Sequence, residues 1–245
     1  MIALIGNLSC DLFPGRLPRV GGGAYHGARA LRELGTEAQV ITRCAAAERE
    51  TLLPPLVRLG TPVHWIRGTQ TSTFAFEFDG EQRTMEVEEI GDAWRPDDLS
   101  LSSRVGWVHL AALFRGEFPT ETIAALARRR RVSLDAQGLV RAPELGPLRL
   151  DDHFDRAQLR HISMLKASDR EAAVIGDTDV PEVIVTHGAR GATVNGVFIE
   201  ANAIDGDPTG AGDMFGITYL VSRAQGADPV DAARRATALV SELLR

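Results

Sequence analysis

Residues 205–216 read DGDPTGAGDMFG, and the rest of the chain is best read outward from this run. A glycine-rich turn leads into a helix whose apolar positions include Met214, Phe215, Ile217 and Leu220. Gly210 and Gly212 let the backbone approach a ligand closely. The unpaired N–H groups of a helix's first turn then attract an anion, helped by the helix dipole. Asp213 is a poor neighbour for bound phosphate unless it has a chemical task. Beside a nest of amides it is well placed to take a hydroxyl proton while the amides stabilise charge on a phosphoryl group in transit. The plainer alternative is that Asp213 only complements the dipole, and Gly210 and Gly212 only serve the turn.

Around this run, short apolar strands alternate with amphipathic helices, the pattern of a layered α/β fold with a largely parallel sheet. Strands are expected over 1–6, 38–43, 62–67, 105–112, 131–136, 161–165 and 182–186. Helices are expected over 23–34, 47–59, 119–130, 153–160, 169–176, 210–224 and 228–244, with Gly35 ending the first. Two segments alternate at the strand period instead: 72–88 around Asp79-Gly80, and 192–200 around Asn195-Gly196, both hairpin turns. Phe74, Phe76 and Phe78 share one face of the first hairpin. They need cover from the main sheet, a substrate or a second subunit. No repeat or linker divides the sequence, so residues 1–245 are expected to form one domain with a small β excursion at 72–88.

The balance of 27 Lys and Arg against 33 Asp and Glu gives a net charge of −6, which argues against a nucleic-acid partner. A 44% hydrophobic composition excludes a disordered chain. Cys10 and Cys44 are too few for a disulfide scaffold and lack zinc spacing. No run approaches the roughly 20 apolar residues of a membrane span. MIALIGNLSC lacks the basic start of a signal peptide, so a cytoplasmic protein is expected. The sequence holds a single lysine, Lys166, and a compact ammonium is not interchangeable with arginine. Its survival reflects either a local role or arginine-biased codon usage.

DPTGAGD resembles the second signature, D-T-x-G-A-G-D, of the PfkB or ribokinase-like carbohydrate kinases. Further matches follow in the family's order. Gly6-Asn7 with Asp11 resembles the opening strand motif, and GGGAYHGARALRELG (21–35) the Gly-Gly motif and its helix. LDAQGLVR (134–141) resembles the segment over the sugar site, KASDREA (166–172) the K-x-N-x-x-E element, and VTHGARG (185–191) the turn near ATP. The resemblance implies a three-layer α/β/α ribokinase-like fold with a small β-hairpin lid. It also implies ATP-dependent phosphorylation of a sugar or polyol hydroxyl, with Mg²⁺ and, in some relatives, K⁺. Under it Asp213 is the general base, and Gly210, Ala211 and Gly212 supply the anion-hole amides. Asn7, Asp11, Gly22, Gly23, His26, Gln137 and Arg141 hold the acceptor. Lys166, Thr186, Gly188, Gly191 and Thr209 hold the nucleotide. Glu171 orients Mg²⁺ through water, and Asp207 with Thr209 matches a monovalent-cation site.

Several positions depart from the family. His26 replaces an Asn, and Ser168 replaces the Asn of N-x-x-E. Only ten residues lie between Asp11 and Gly22, so the first lid strands are expected to be absent, leaving 72–88 as the whole lid. Relatives continue past the position of Arg245 with a loop over the adenine, so an open nucleotide pocket and loose nucleotide choice are expected. DAQGLVR is similar to a subgroup that includes inositol kinases. There Gln137 and Arg141 suit a polyol or an acidic sugar, or else tie down their own loop. The glycines at 21–23 and 27 do not complete a dinucleotide fingerprint, and no Walker-type phosphate loop is present. Arg128 to Arg131 read as a solvated helix end, and His64, His109, His153 and His161 as structural or surface residues. His187, inside the V-T-x-G turn, either touches a nucleotide or faces water. Two other functions stay open: a nucleoside kinase with Tyr25 stacking on the base, and a degenerate kinase fold that binds without turnover. The expected partner is a small molecule, with neither nucleic acid nor membrane, and a homodimer forms if the lids cover each other.

Overall fold

Every residue of IALIGN is buried, although only part of it is aliphatic, and a strand buried on both faces belongs in the middle of a parallel sheet. In the computed structural model it forms β1 (Ile2–Asn7), with β4 (Ala38–Ala45) parallel on one side and β8 (Trp107–Leu110) parallel on the other. The structure describes residues 1–79, 82–202 and 207–244. The hairpin glycine Gly80, the Phe78 side chain, and Asp205 and Gly206 lie outside the described residues.

In chain order β1 is followed by β2 (Ser9–Leu12), β3 (Arg19–Gly21), α1 (Gly23–Leu34), β4, α2 (Arg49–Val57), β5 (Val63–Gly68), β6 (Ser72–Asp79), β7 (Gln82–Glu89) and β8. Next come α3 (Thr120–Ala127), β9 (Arg131–Asp135), α4 (Gln137–Val140), β10 (Gly146–Pro147), β11 (Met164–Ser168) and α5 (Asp169–Ile175). The chain ends with β12 (Val183–Thr186), β13 (Gly191–Val194), β14 (Val197–Glu200), α6 (Ala211–Ala224) and α7 (Pro229–Leu243). Among the described residues the larger sheet has nine strands in the order β14-β13-β12-β11-β9-β8-β1-β4-β5. It is parallel except for the antiparallel edge of β13 and β14, turned at Asn195 and Gly196 with positive φ of 49° and 76°. That edge is the expected 192–200 hairpin.

Alternate residues of β1 feed two cores. Leu4 joins Leu31 of α1, Leu52 of α2, Leu220 of α6 and Ala236 of α7. Ala3 and Ile5 join Ile123 of α3, Leu139 of α4 and Ile175 of α5 on the opposite face. Helices on both faces of a mostly parallel sheet make three layers, as expected. Helix α1 ends where the sequence predicts, with Gly35 left-handed at φ 56° and its N–H bonded to the carbonyls of Arg32 and Leu31.

Two expectations are corrected. The stretch before Gly22 is not strand-free: β2 pairs parallel with β6, and β3 pairs antiparallel with β2. The hairpin is therefore part of a five-stranded sheet, β10-β7-β6-β2-β3. The segment 153–160 forms a 3₁₀ turn at Arg156–His161 rather than an α-helix. Its closing bond, Ile162 N–H to the Leu159 carbonyl, delays the next strand to Met164. Phe74 and Phe76 are each 3% exposed, covered by Leu113 and Phe114, with Phe13 stacked on Phe76 at 4.8 Å between ring centres. These two side chains therefore offer no surface to a second subunit.

Leu113 and Phe114 are themselves held by Glu117. Its buried carboxylate accepts the backbone N–H groups of Leu113 (2.6 Å), Phe114 (3.3 Å) and Asn7 (3.3 Å). Burial outweighs these donors and pushes the carboxyl from 4.5 up to about 7. The folded chain thus holds this proton more tightly than the unfolded one. The resulting stability is full below pH 4.5 and is lost as pH rises to about 7, a change of about 3 kcal/mol. Urea midpoints should fall across that window, and Glu117→Gln should flatten the slope. Equal slopes in both proteins would show that Glu117 does not carry it.

Candidate active site

The strand order reverses beside β1, whose neighbours β4 and β8 lead to opposite halves of the larger sheet. In open α/β sheets such a switch point, at the carboxyl ends of the strands, is where ligands bind. Asn7 ends β1, Asp135 ends β9, Ser168 ends β11 and Thr186 ends β12, so the polar residues gather along this edge. Two helix N-termini meet there as well. Gly22 precedes α1 with φ 88°, and Gly210 precedes α6 with φ 80°.

The helices approach so closely that side chains are excluded. A Cβ on Gly23 would lie 2.7 Å from the Ala111 methyl and 3.2 Å from Asp213 Oδ1. Asp213 therefore sits across from the start of α1, in the first turn of α6, with its side chain half-buried. Burial pushes its carboxyl up to about 6. Lys166, Arg141 and His109 pull against that shift, and Asp135 adds to it. Near neutral pH such a carboxylate is ionised yet basic enough to accept a proton.

The turn before α6 stands between two cavities. One, of about 590 Å³, is lined by Asp11, Tyr25, His26, Arg29, Asp207 and Thr209 among others. The second, of about 410 Å³, is lined by Thr186, Gly188, Gly191, Ala211, Gly212 and Phe215, with Val240 and Ser241 of α7 closing one wall. Both volumes suit small-molecule ligands. Thr209 separates from the residues grouped with it in the sequence, because it lines the first cavity, not the second. Its N–H and hydroxyl both donate to Asp207 Oδ1, at 2.9 and 2.6 Å.

Of the remaining expected residues, Asp11 and His26 line the first cavity and Thr186 the second, while Asn7, Gln137 and Arg141 line neither. Asp11 is buried and accepts the Ser9 hydroxyl at 2.6 Å, and its carboxylate fills the space a Cβ on Gly21 would need. The His26 ring packs directly on Gly210. Asn7 is fixed by its side-chain N–H donating to the Asp92 carbonyl at 2.9 Å. Gln137 opens α4 and is buried, and Arg141 follows that helix, close enough to lower the Asp213 pKa. On the other side, the Thr186 hydroxyl donates to the Ala167 carbonyl. His187 bonds Thr193 at 2.9 Å. Back in the first cavity, Tyr25 stands edge-on to His26 with ring centres 5.2 Å apart.

Glu171 forms a capping box with Ser168: its Oε2 accepts the Ser168 N–H at 2.8 Å, and its own N–H donates to the Ser168 hydroxyl at 3.2 Å. Oε1 is left outside that box. Magnesium ions are commonly held by one or two carboxylates, water and substrate phosphates, so a single free carboxylate oxygen fits an outer ligand. Among the described residues no three His, Cys, Asp or Glu side chains cluster to hold a metal on their own.

Sequence reasoning missed Asp135 and left His109 as a structural residue. Both are 1% exposed or less. Asp135 Oδ1 lies 3.0 Å from Lys166 Nζ and its Oδ2 lies 3.6 Å from His109 Nε2. Burial alone would raise the Asp135 carboxyl, but Lys166 and His109 outweigh it and hold it at about 2. An acidic residue closing a strand buried from Val132 onward, VSLD, was the available signal.

Residues 19–244 match the model of the pfkB family carbohydrate kinases. The chain belongs to this family. It is 34% identical to an inositol 3-kinase of Zea mays over 137 residues, which take in 51% of this chain and only 36% of that enzyme's length. Among solved structures it resembles a pyrophosphate-dependent kinase of the ribokinase family complexed with a pyrophosphate analog and myo-inositol. That likeness has 27% identity and a TM-score of 0.85, covering 100% of this chain and 95% of the other. A Burkholderia thailandensis nucleoside kinase in complex with inosine shares the fold at 20% identity and a TM-score of 0.74, covering 98% of this chain and 90% of the other.

Gly210→Ala tests the turn. A left-handed backbone costs a non-glycine residue about 1–2 kcal/mol, and the new methyl would also meet the His26 ring. The unfolding free energy from denaturant titration should drop by at least that much, with a lower midpoint. An unchanged midpoint would mean that the turn relaxes freely.

Proposed function

We propose that this pfkB-family chain transfers a phosphoryl group to a hydroxyl of a polyol or sugar, with an inositol-like cyclitol as the preferred class. The observation that supports it best is the placement of Asp213, half-buried in the first turn of α6, directly after a turn that borders both cavities. The likeness to an inositol 3-kinase and to a kinase complexed with a pyrophosphate analog and myo-inositol supports the acceptor class.

In this reading the acceptor occupies the Asp11 and His26 side, with Gln137 and Arg141 supplying donors and an acceptor to its hydroxyl groups. Asp213 takes the proton of the reacting hydroxyl. The freed oxygen lone pair attacks the terminal phosphorus of the donor in line, and the bond from phosphorus to the bridging oxygen breaks. Charge on the transferred group meets the N–H groups of Gly210, Ala211 and Gly212, which are fixed beforehand by the turn. Mg²⁺ would be held by the donor's phosphates with Glu171 as an outer ligand, and would neutralise phosphate charge. A K⁺ site would use Asp207. Residues 1–245 act as one catalytic domain located in the cytoplasm, and the five-stranded sheet serves as the lid.

The donor assigned here is ATP, because the 410 Å³ cavity presents Phe215, Val240 and Ala201, which suit a base rather than a bare phosphate. Pyrophosphate is the second reading, favoured by the likeness to pyrophosphate-dependent kinases. Tyr25 is turned toward His26 on the acceptor side, so a nucleoside acceptor stays a test case.

Phosphate transfer to myo-inositol, other cyclitols, ribose and nucleosides should be measured with ATP and with pyrophosphate in parallel. Turnover with ATP and a cyclitol is expected. Turnover with pyrophosphate alone would reassign the donor, and donor binding without turnover on any acceptor would favour a degenerate fold. Asp213→Asn should lower kcat roughly 10²–10⁴-fold with acceptor binding little changed. Because the base must be ionised, wild-type kcat should fall as pH drops through about 6.

A further inference from the structure

The run Arg128 to Arg131, read from the sequence as a solvated helix end, splits once the chain folds. Arg129 is exposed, and Arg131 lies over the Trp107 ring at 5.2 Å. Arg128 and Arg130 instead line a cavity of about 510 Å³, together with Arg160 and His161 from the 3₁₀ turn. This cavity lies where β9, β11 and β12 begin. Arg130 stands just ahead of the first strand, Ser163 ahead of the second and Pro181 ahead of the third, and all three line it. Asp135, Ser168 and Thr186 close the same strands at the opposite edge of the sheet. The length of β9 alone puts roughly 13 Å between the two edges. The cavity is therefore separate from the site at the carboxyl ends.

Its cations are short of partners. Among the described residues Arg128, Arg130 and Arg160 form no ion pair, and no carbonyl at the end of α3 accepts from Arg128 or Arg130. Arg130 Nε is shut off from solvent with no hydrogen-bond partner, a costly state for part of a charged group. Arg160 Nε donates to His161 Nε2 at 3.2 Å, so that imidazole is neutral and the outer amino groups of Arg160 stay available. Asp155, which Arg160 attracts from outside the cavity, already accepts the Thr120 hydroxyl and the Ala157 N–H, each at 2.9 Å. Among the described lining residues Asp179 is the one carboxylate. Three guanidinium groups against one carboxylate leave two positive charges uncompensated, in a chain whose net charge is −6.

We propose that this cavity binds the phosphate group of a small phosphate monoester. Such a group carries about −1.5 to −2 near neutral pH, the charge the cavity lacks. Its oxygens accept the paired N–H groups that a guanidinium offers in a fixed plane. Ala127, Leu159, Ile162 and Pro181 give the organic part of the ligand an apolar seat. A carboxylate ligand brings only half the charge, and a nucleic acid needs a basic track longer than one cavity.

The test is a ¹H–¹⁵N NMR titration at constant ionic strength, with glycerol 3-phosphate, inorganic phosphate and acetate as probes. The Arg130 Nε–H and the Ser163 amide report this cavity, and the Gly212 amide reports the other edge. Glycerol 3-phosphate should shift the first two signals saturably, and more weakly below pH 6, where the phosphate loses its second charge. Arg130→Gln and Arg160→Gln should each weaken that binding roughly tenfold or more at the Ser163 amide. Arg160 is exposed, so its variant keeps the test open if Arg130→Gln misfolds. Arg129→Gln removes the same charge outside the cavity and should leave the binding unchanged. A response confined to Gly212, an equal response to acetate, or equal losses in Arg129→Gln and Arg160→Gln overturns the proposal. Inorganic phosphate binding as tightly as the ester overturns the assignment of an ester.

Discussion

The close approach of backbones at the switch point governs most of what surrounds it. A Cβ on Gly6 would stand 2.6 Å from the Ala111 carbonyl oxygen, and one on Gly27 would lie 2.8 Å from Ile217 and 2.9 Å from Leu4. These contacts set α1 and α6 against β1 at a separation that no larger side chain permits. With that separation fixed, the first turns of both helices open onto the same edge of the sheet. Asp213 faces the start of α1 because nothing stands between them.

The polar groups around this contact are held from far away in the chain. Glu117 reaches Asn7 across 110 positions, and Asp135 reaches Lys166 across the gap between β9 and β11. Buried carboxylates without partners are costly, so their presence here marks places where a backbone loop or a cation has been fixed on purpose. Asn7 and Asp135 both sit at the carboxyl end of a strand, where the crevice opens.

This distribution explains what was legible in the sequence. Helix α1, its left-handed Gly35 and the Asn195-Gly196 turn carry their signals within a few residues, so pattern reading finds them. The DPTGAGD run is local too, and its helix-opening turn has the expected shape at Gly210. Strands β2 and β3 escape because SCDL and RVG are short and flank a proline-containing loop. What makes them strands is the ladder offered by β6, some 60 residues on. Asp135 and Glu117 escape for the same reason: an acidic residue acquires meaning only from partners the linear sequence keeps apart. Thr209 borders a different cavity from Thr186 and Gly188, since adjacency to Gly210 says nothing about which side of the turn a side chain takes.

The five-stranded sheet has a mechanical consequence. A two-stranded flap joined to the body by its two ends can swing like a door on one edge. Here β2 leaves β1 through Leu8, β3 runs directly into α1 at Gly22, β6 arrives from β5, and β10 returns from beyond α4. A plate moored at so many corners tilts as a whole or stays still. Any opening motion is therefore transmitted straight into Gly22 and the first turn of α1, and through it to the carboxylate on the facing helix.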